Sequence, residues 1–299
     1  MSDTAISTRG LRKTYGDLAA VDGLDLEIMR GEVFALLGPN GAGKSTTVEI
    51  MEGFRARSSG EVSVLGVDPA HADRAWRERI GIMLQSTPEQ GFLTAREALT
   101  HASRLYPRPR DVEETLATIG LMDKANAKPQ KLSGGQRRRL EVGLAIIGNP
   151  ELVFLDEPTT GFDPEARRQF WDTIAALRGQ GTTILLTTHY LDEAEFLADR
   201  IGIIAAGRRV ALDTPAGLRQ RSREATVRWR ENGTTHEVST AEPTRVVREV
   251  LARMDGEVEG LAVTHPTLED IYLGLIADAT RTAAPDAPAA PTAAKETLA

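Results

Sequence analysis

An α/β fold built on a mostly parallel sheet is what this chain predicts, and three features predict it. Apolar runs recur along the sequence, notably Val33-Phe34-Ala35-Leu36-Leu37, Leu152-Val153-Phe154-Leu155 and Thr183-Ile184-Leu185-Leu186-Thr187. Continuous rather than alternating apolarity is expected of strands covered on both faces, the condition of a parallel sheet. Strand and helix patterns then alternate as far as Ile204, as they do where helical crossovers join parallel strands. The third feature is Gly38-Pro39-Asn40-Gly41-Ala42-Gly43-Lys44-Ser45, a G-x-x-x-x-G-K-[ST] octapeptide set between the first of those strands and a helix.

Composition narrows the class. At 299 residues the chain has room for one large domain and a smaller one, and 41% apolar residues supply a sizeable core. A net charge of −7 argues against a surface made to coat nucleic acid. There is no cysteine, which excludes disulfides, thiolate metal sites and cysteine nucleophiles. Met1-Ser2-Asp3-Thr4 carries neither a basic segment nor an apolar core, so no secretory signal is expected. No apolar run approaches the roughly 18 residues that span a bilayer. Any membrane role is therefore expected to come through another chain.

In chain order, residues 4–9 and 24–28 alternate as strands do, on either side of Lys13-Thr14-Tyr15-Gly16-Asp17. Thr46-Thr47-Val48-Glu49-Ile50-Met51 continues the helix opened by the octapeptide. Ser58-Ser59-Gly60 reads as a turn, Glu61-Val62-Ser63-Val64 as a strand and 72–79 as a short charged helix. Ile80-Gly81-Ile82-Met83-Leu84 is a buried strand ending at Gln85. From about 86 to 150 the period becomes helical, with a capping box at Thr94-Ala95-Arg96-Glu97, a break at Pro107 and Pro109, and a further helix from Val112 to Ile119. This insert is expected to be a helical subdomain. Its last helix opens at Leu132-Ser133-Gly134-Gly135-Gln136 and stops at Asn149-Pro150. Asp163-Pro164 starts the next helix, Asp as N-cap and Pro at the first helical position. Leu191 to Ala198 reads as a helix and Ile201-Gly202-Ile203-Ile204 as a strand. The texture changes beyond 221. Two alternating runs meet at Asn232-Gly233, a hairpin signal, and amphipathic helices are expected over 243–254 and from Pro266 to Ile276. The expected domains are 4–221, a small α+β appendage over 222–280, and a disordered Ala/Pro/Thr tail over 281–299.

The octapeptide has a specific chemistry. Its glycines let the backbone turn tightly and approach a phosphate with no Cβ in the way. Its N–H groups, Thr46 included, and the positive end of the helix form an anion cradle. Lys44 then reaches the β- and γ-phosphates of a nucleoside triphosphate, and the Ser45 hydroxyl is placed to ligate Mg²⁺. Asp156 and Glu157 end a buried strand, where α/β sheets bind ligands. Asp156 is a candidate Mg²⁺ ligand and Glu157 the candidate base for the attacking water; solvated acids at a strand end are the plainer reading. Ser133, Gly134, Gly135 and Gln136 at a helix start offer a second anion site, against the plainer reading of an ordinary N-cap. A second such site suggests two copies facing each other across a symmetric dimer. His189 and Gln85 each follow a core strand, and one could sense the γ-phosphate while the other senses the Mg²⁺ or the water. Asp163 is as much a cap as a catalytic part. The Tyr15 ring could stack on an adenine or be only a half-buried strand residue. Arg137-Arg138-Arg139 reads as a solvated helix face.

Taken together these stations resemble the ATP-binding-cassette (ABC) ATPases, over about residues 4–220. Tyr15 sits where that family has its adenine-stacking aromatic, and 38–45 matches the Walker A loop. Gln85 matches the Q-loop, 132–136 the LSGGQ signature, 152–157 the Walker B strand with its glutamate, Gly161-Phe162-Asp163 the D-loop and His189 the switch histidine. Phe162 departs from the leucine usual in the D-loop. Thr187-Thr188-His189-Tyr190-Leu191-Asp192-Glu193-Ala194 and Pro266-Thr267-Leu268-Glu269-Asp270-Ile271-Tyr272-Leu273 are similar to segments of one branch, the ATPases of ABC-2-type drug and antibiotic exporters. The resemblance implies a P-loop NTPase fold with a RecA-like mostly parallel sheet, an antiparallel β subdomain and a helical subdomain. It also implies ATP and Mg²⁺ as ligands, with Gln85 joining Ser45 and Asp156 near the metal. Its expected partners are a second copy of the chain and polytopic permease subunits, at the cytoplasmic face of the membrane. The alternative is a soluble cassette acting on ribosomes or DNA. Such proteins usually carry paired cassettes or long coiled-coil insertions, and this chain shows one cassette, no long heptad stretch and an acidic balance.

Overall fold

The computed structural model describes residues 3–83, 92–221, 225–231, 233–254 and 257–283. The chain opens with β1 (Thr4–Tyr15) and β2 (Leu18–Met29), a long antiparallel hairpin. β3 (Val33–Leu37) leads through the glycine-rich loop into α1 (Lys44–Met51). Then β4 (Ser59–Val64) pairs with the free side of β1. A short α2 (Arg74–Arg77) precedes β5 (Ile80–Met83). The helical stretch follows as α3 (Ala95–Ser103), α4 (Val112–Thr118) and α5 (Gly134–Ile146). β6 (Leu152–Asp156), α6 (Pro164–Gly179), β7 (Thr183–Thr187), α7 (Leu191–Leu197) and β8 (Arg200–Ala205) continue the α/β alternation. β9 (Arg208–Asp213) and α8 (Pro215–Arg221) close it.

The six-stranded central sheet runs β5-β6-β7-β3-β8-β9, with every pairing parallel except the antiparallel edge strand β9. Both of its faces are buried, and the side chains show it residue by residue. Val33, Ala35 and Leu37 of β3 join Val153 and Leu155 of β6 and Ile184 and Leu186 of β7 in a core shared with the helices. The intervening Phe34, Leu36, Leu152, Phe154 and Leu185 face the other way, into a core shared with α1 and the β2-β1-β4 sheet. Strands that bury both faces have no polar positions to alternate with, which is why they read as unbroken apolar runs.

Two expectations needed adjusting. β1 and β2 run through the segment expected to separate them, so Tyr15 ends a strand and pairs with Leu18. Register shifts between Thr8 and Leu11 and between Lys13 and Thr14 break the period of two, and a bulge of that kind hides a strand from pattern reading. β9 was also missed, because Arg208 and Arg209 are exposed on an edge strand that only its neighbour β8 defines.

Beyond residue 224, β10 (Ala225–Glu231) and β11 (Thr234–Thr240) pair in register, and α9 (Pro243–Arg253) covers them together with β12 (Ala262–Thr264). Val227, Trp229, Val246, Val250 and Val258 make a separate small core. α10 (Leu268–Ala283) does not add to it. Instead Leu268 is buried in the helix-side core of the large sheet, and Tyr272, Leu275 and Ile276 pack against that core. No described helix is long and apolar enough to cross a membrane.

Candidate nucleotide site

The sheet order puts β3 between β7 and β8 and β7 between β3 and β6. The loops leaving the C-terminal ends of β3, β6 and β7 are therefore neighbours, although they lie far apart in sequence. Ligands in open α/β sheets bind at such strand ends.

The loop after β3 is shaped by its glycines. Gly43 caps α1 at φ 98°, and a Cβ there would stand 2.3 Å from the carbonyl oxygen of Ala20. A Cβ on Gly38 would meet the carbonyl oxygen of Ile204 at the same 2.3 Å. Neither position accepts a side chain, so the loop lies flush against β2 and β8. Ala42 N donates to the Pro39 carbonyl at 3.1 Å. The N–H groups of Gly41, Gly43, Lys44, Ser45 and Thr46 meet no protein acceptor among the described residues. A row of free N–H groups at a helix start, with no Cβ above it, fits the oxygens of a phosphate. Lys44 is only 7% exposed, and its ammonium donates to the carbonyls of Gly38 (2.7 Å) and Pro39 (3.1 Å). Burial lowers its pKa, and the charges of Glu157 and Asp156 oppose that shift.

Asp156 and Glu157 leave β6 beside the end of β7, where Asp156 and Thr187 are paired. The Thr187 hydroxyl donates to Asp156 Oδ1 and accepts from the Glu157 N–H at 3.1 Å. One threonine thus fixes both acidic residues. Burial raises the pKa of Asp156, the Thr187 bond pulls it back, and the Glu157 charge pushes it up again. Excess negative charge at this point favours a cation. The Ser45 hydroxyl and the Asp156 carboxylate are hard oxygen donors of the kind Mg²⁺ takes alongside phosphate oxygens. Among the described residues no cluster of three or more His, Cys, Asp or Glu could hold a metal without such help.

Glu157 has φ 46°, a left-handed conformation uncommon for a side chain of its size. Such strain gathers at functional sites, held in place by the surrounding fold. Glu157 Oε2 lies 3.5 Å from His189 Nδ1 and accepts from the Thr160 hydroxyl at 3.3 Å. His189 is half-exposed and its ring centroid is 4.1 Å from that of Tyr190, whose ring has Arg167 at 4.3 Å.

The remaining candidates stand as follows. Tyr15 is 42% exposed, its hydroxyl accepts from Arg55 Nη1 at 2.6 Å, and Lys13 Nζ lies 5.0 Å from its ring centroid. Ser133 caps α5 in a reciprocal capping box: its hydroxyl accepts from Gln136 N at 3.2 Å, and the Gln136 side chain accepts from Ser133 N at 3.0 Å. Gly134 and Gly135 open that helix. No hydrogen bond or ion pair among the described residues joins 133–136 to the loop at 38–46. Asp163 caps α6, accepting from Ala166 N at 2.8 Å. Gln85 lies outside the described residues. Thr187 was not singled out from the sequence, because its role appears only when β7 is laid beside β6. Arg55 was missed for the same reason, since only the fold brings it to Tyr15.

A family profile described as "ABC transporter" matches residues 21–160. The chain is 43% identical over 225 residues to a daunorubicin resistance ATP-binding protein of Streptomyces coeruleorubidus, covering 73% of this chain and 71% of that one. It is 41% identical over 220 residues to the Nod factor export ATP-binding protein I of Rhizobium etli, covering 72% and 70%. Among solved structures it is similar to a dimeric ATP-binding cassette in a post-hydrolysis state bound to ADP and Pi. That match has 26% identity and a TM-score of 0.62, over 70% of this chain and 98% of the other.

Proposed function

The chain belongs to the ABC transporter family as an ATP-binding, ATP-hydrolysing subunit, and from that premise we propose that it works as a homodimer driving export of a drug-like or lipophilic compound through separate membrane subunits. The observation that carries the site assignment is the meeting of Lys44, Asp156, Glu157 and His189 at the ends of three adjacent strands. Residues 38–46 bind the phosphates through backbone N–H groups and the Lys44 charge, and Tyr15 takes the adenine. Ser45 and Asp156 would hold Mg²⁺, with Gln85 as an expected further ligand. The metal's contribution is to neutralise charge on the β- and γ-oxygens. Glu157, held by Thr160 and facing His189, orients the attacking water and accepts its proton. His189 contacts the γ-phosphate. Ser133, Gly134, Gly135 and Gln136 close over the γ-phosphate of the opposite copy, with Asp163 at the same seam. The N-terminal end of α5, capped by Ser133, supports this, because a helix N-terminus favours an anion. Hydrolysis removes the group that both copies grip, and the loosened dimer passes the motion to the permease at the cytoplasmic face. The names of the two relatives, a resistance protein and an export protein, support the export direction.

The test is Glu157→Gln in the full chain. Hydrolysis should fall by roughly 10²–10⁴-fold while ATP binding persists, and light scattering should show a dimer with ATP and a monomer with ADP. Near-normal turnover would remove Glu157 from its role, and a monomer in ATP would remove the dimer.

A further inference from the structure

Glu193 of α7 is 0% exposed, yet neither of its carboxylate oxygens has a partner that meets hydrogen-bond distance and angle. Its surroundings are polar. The Thr159 hydroxyl, the Trp171 indole N–H and Arg167 Nε are buried and likewise without a partner. The hydroxyl of Thr188, 1% exposed, already accepts from Tyr190 N at 3.0 Å and still has its proton to give. Burial raises the Glu193 carboxyl pKa, and Thr188, Thr159, Trp171 and Arg167 all act to lower it, so these donors surround the carboxyl even though none is in ideal geometry. A buried carboxyl is tolerated only where donors close on it, and here the donors come from three separate segments, so the carboxyl links them.

The placement of the ring is specific. Thr159 lies on the segment that leaves Glu157 for the 161–163 turn, and its carbonyl accepts from Phe162 N at 3.0 Å. Thr188 directly precedes His189, and Trp171 and Arg167 belong to α6, whose cap is Asp163. We propose that Glu193 is a positioning residue whose buried carboxyl ties the Glu157–Asp163 segment to the His189 segment, so that both arms of the hydrolytic site move together. Glu193 touches none of the reacting groups itself and acts through Thr159 and Thr188. This inference rests on the site assignment proposed above.

The test compares Glu193→Leu and Glu193→Gln in steady-state ATP hydrolysis by the full chain. Leu removes the acceptor, and kcat should fall about 10- to 100-fold with KM for ATP within about 2-fold, since misplacement by about an ångström costs that much. Gln keeps an acceptor of the same shape and should restore kcat to within about 3-fold of the parent. An unchanged kcat in Glu193→Leu, an equal loss in both variants, or a change in KM alone would overturn the proposal. If Glu193→Leu does not fold by circular dichroism, Thr159→Val reads the same link: kcat should fall with KM unchanged, and an unchanged kcat overturns the idea. Glu157→Gln is run alongside. If it is dead while Glu193→Leu is normal, only the positioning role fails. If it turns over normally, the site assignment fails and takes this inference with it.

Discussion

At the scale of single residues, the site concentrates carboxylates where water is scarce, and that has a measurable consequence. Glu52, at the C-terminal end of α1, has its pKa pushed from 4.5 up to about 8, first by burial and then by the charges of Asp156 and Glu49. The native chain therefore holds this proton up to about pH 8, while the unfolded chain releases it near 4.5. Stability is then lost as pH rises through that window and levels off above it, on the order of 2–4 kcal/mol for this group. Glu52→Gln should remove that part of the slope and be the more stable chain at pH 8. Urea unfolding at pH 5, 6.5 and 8 checks it, and parallel slopes in the two chains would refute the assignment. Asp156 and Glu193 are also raised, so they add loss in the same direction, and only the difference between the chains isolates Glu52.

At the scale of elements, the strand–loop–helix unit from β3 to α1 depends on backbone shape more than on any side chain. Gly43→Ala would place a Cβ 2.3 Å from the Ala20 carbonyl oxygen in a backbone conformation that alanine avoids. The expected outcome is about 2–4 kcal/mol of lost stability and at least about 10-fold weaker nucleotide binding. Thermal unfolding and a fluorescent-nucleotide titration would read these, and wild-type affinity would show that the loop is not the cradle. This element was legible from the octapeptide because every residue it needs is contiguous. The pairing of Thr187 with Asp156 was not, since hydrogen bonds between β6 and β7 depend on a register no local pattern specifies.

At the scale of the whole molecule, the site proposed to be shared between two copies makes a strong demand on mixtures. Lys44→Ala should lose the phosphate grip and Ser133→Arg should block the opposite site, so each alone should be inactive. Mixed, the Ser133→Arg chain contributes an intact loop and the Lys44→Ala chain an intact signature, so one site of the mixed dimer is whole. Part of the ATPase activity should return on mixing. Two dead chains that stay dead together, while each still folds, would argue that every copy works alone. The C-terminal region also divides at this scale. β10–β12 and α9 keep their own small core, whereas α10 packs onto the core of the large sheet through Leu268, Tyr272 and Ile276.

The sequence by itself determined the parallel α/β sheet, the glycine-rich loop between β3 and α1, the acids at the end of β6 and the caps Ser133 and Asp163. These are signals of composition, period or contiguous residues, and a short stretch of chain suffices to specify them. Tertiary structure alone decided that Thr187 holds both acids, that Glu157 takes a strained backbone beside His189, that Glu193 sits buried among donors from separate segments, and that α10 lies on the large core. Each of those depends on segments distant in sequence, and an apolar or polar face states that it needs a partner without stating which.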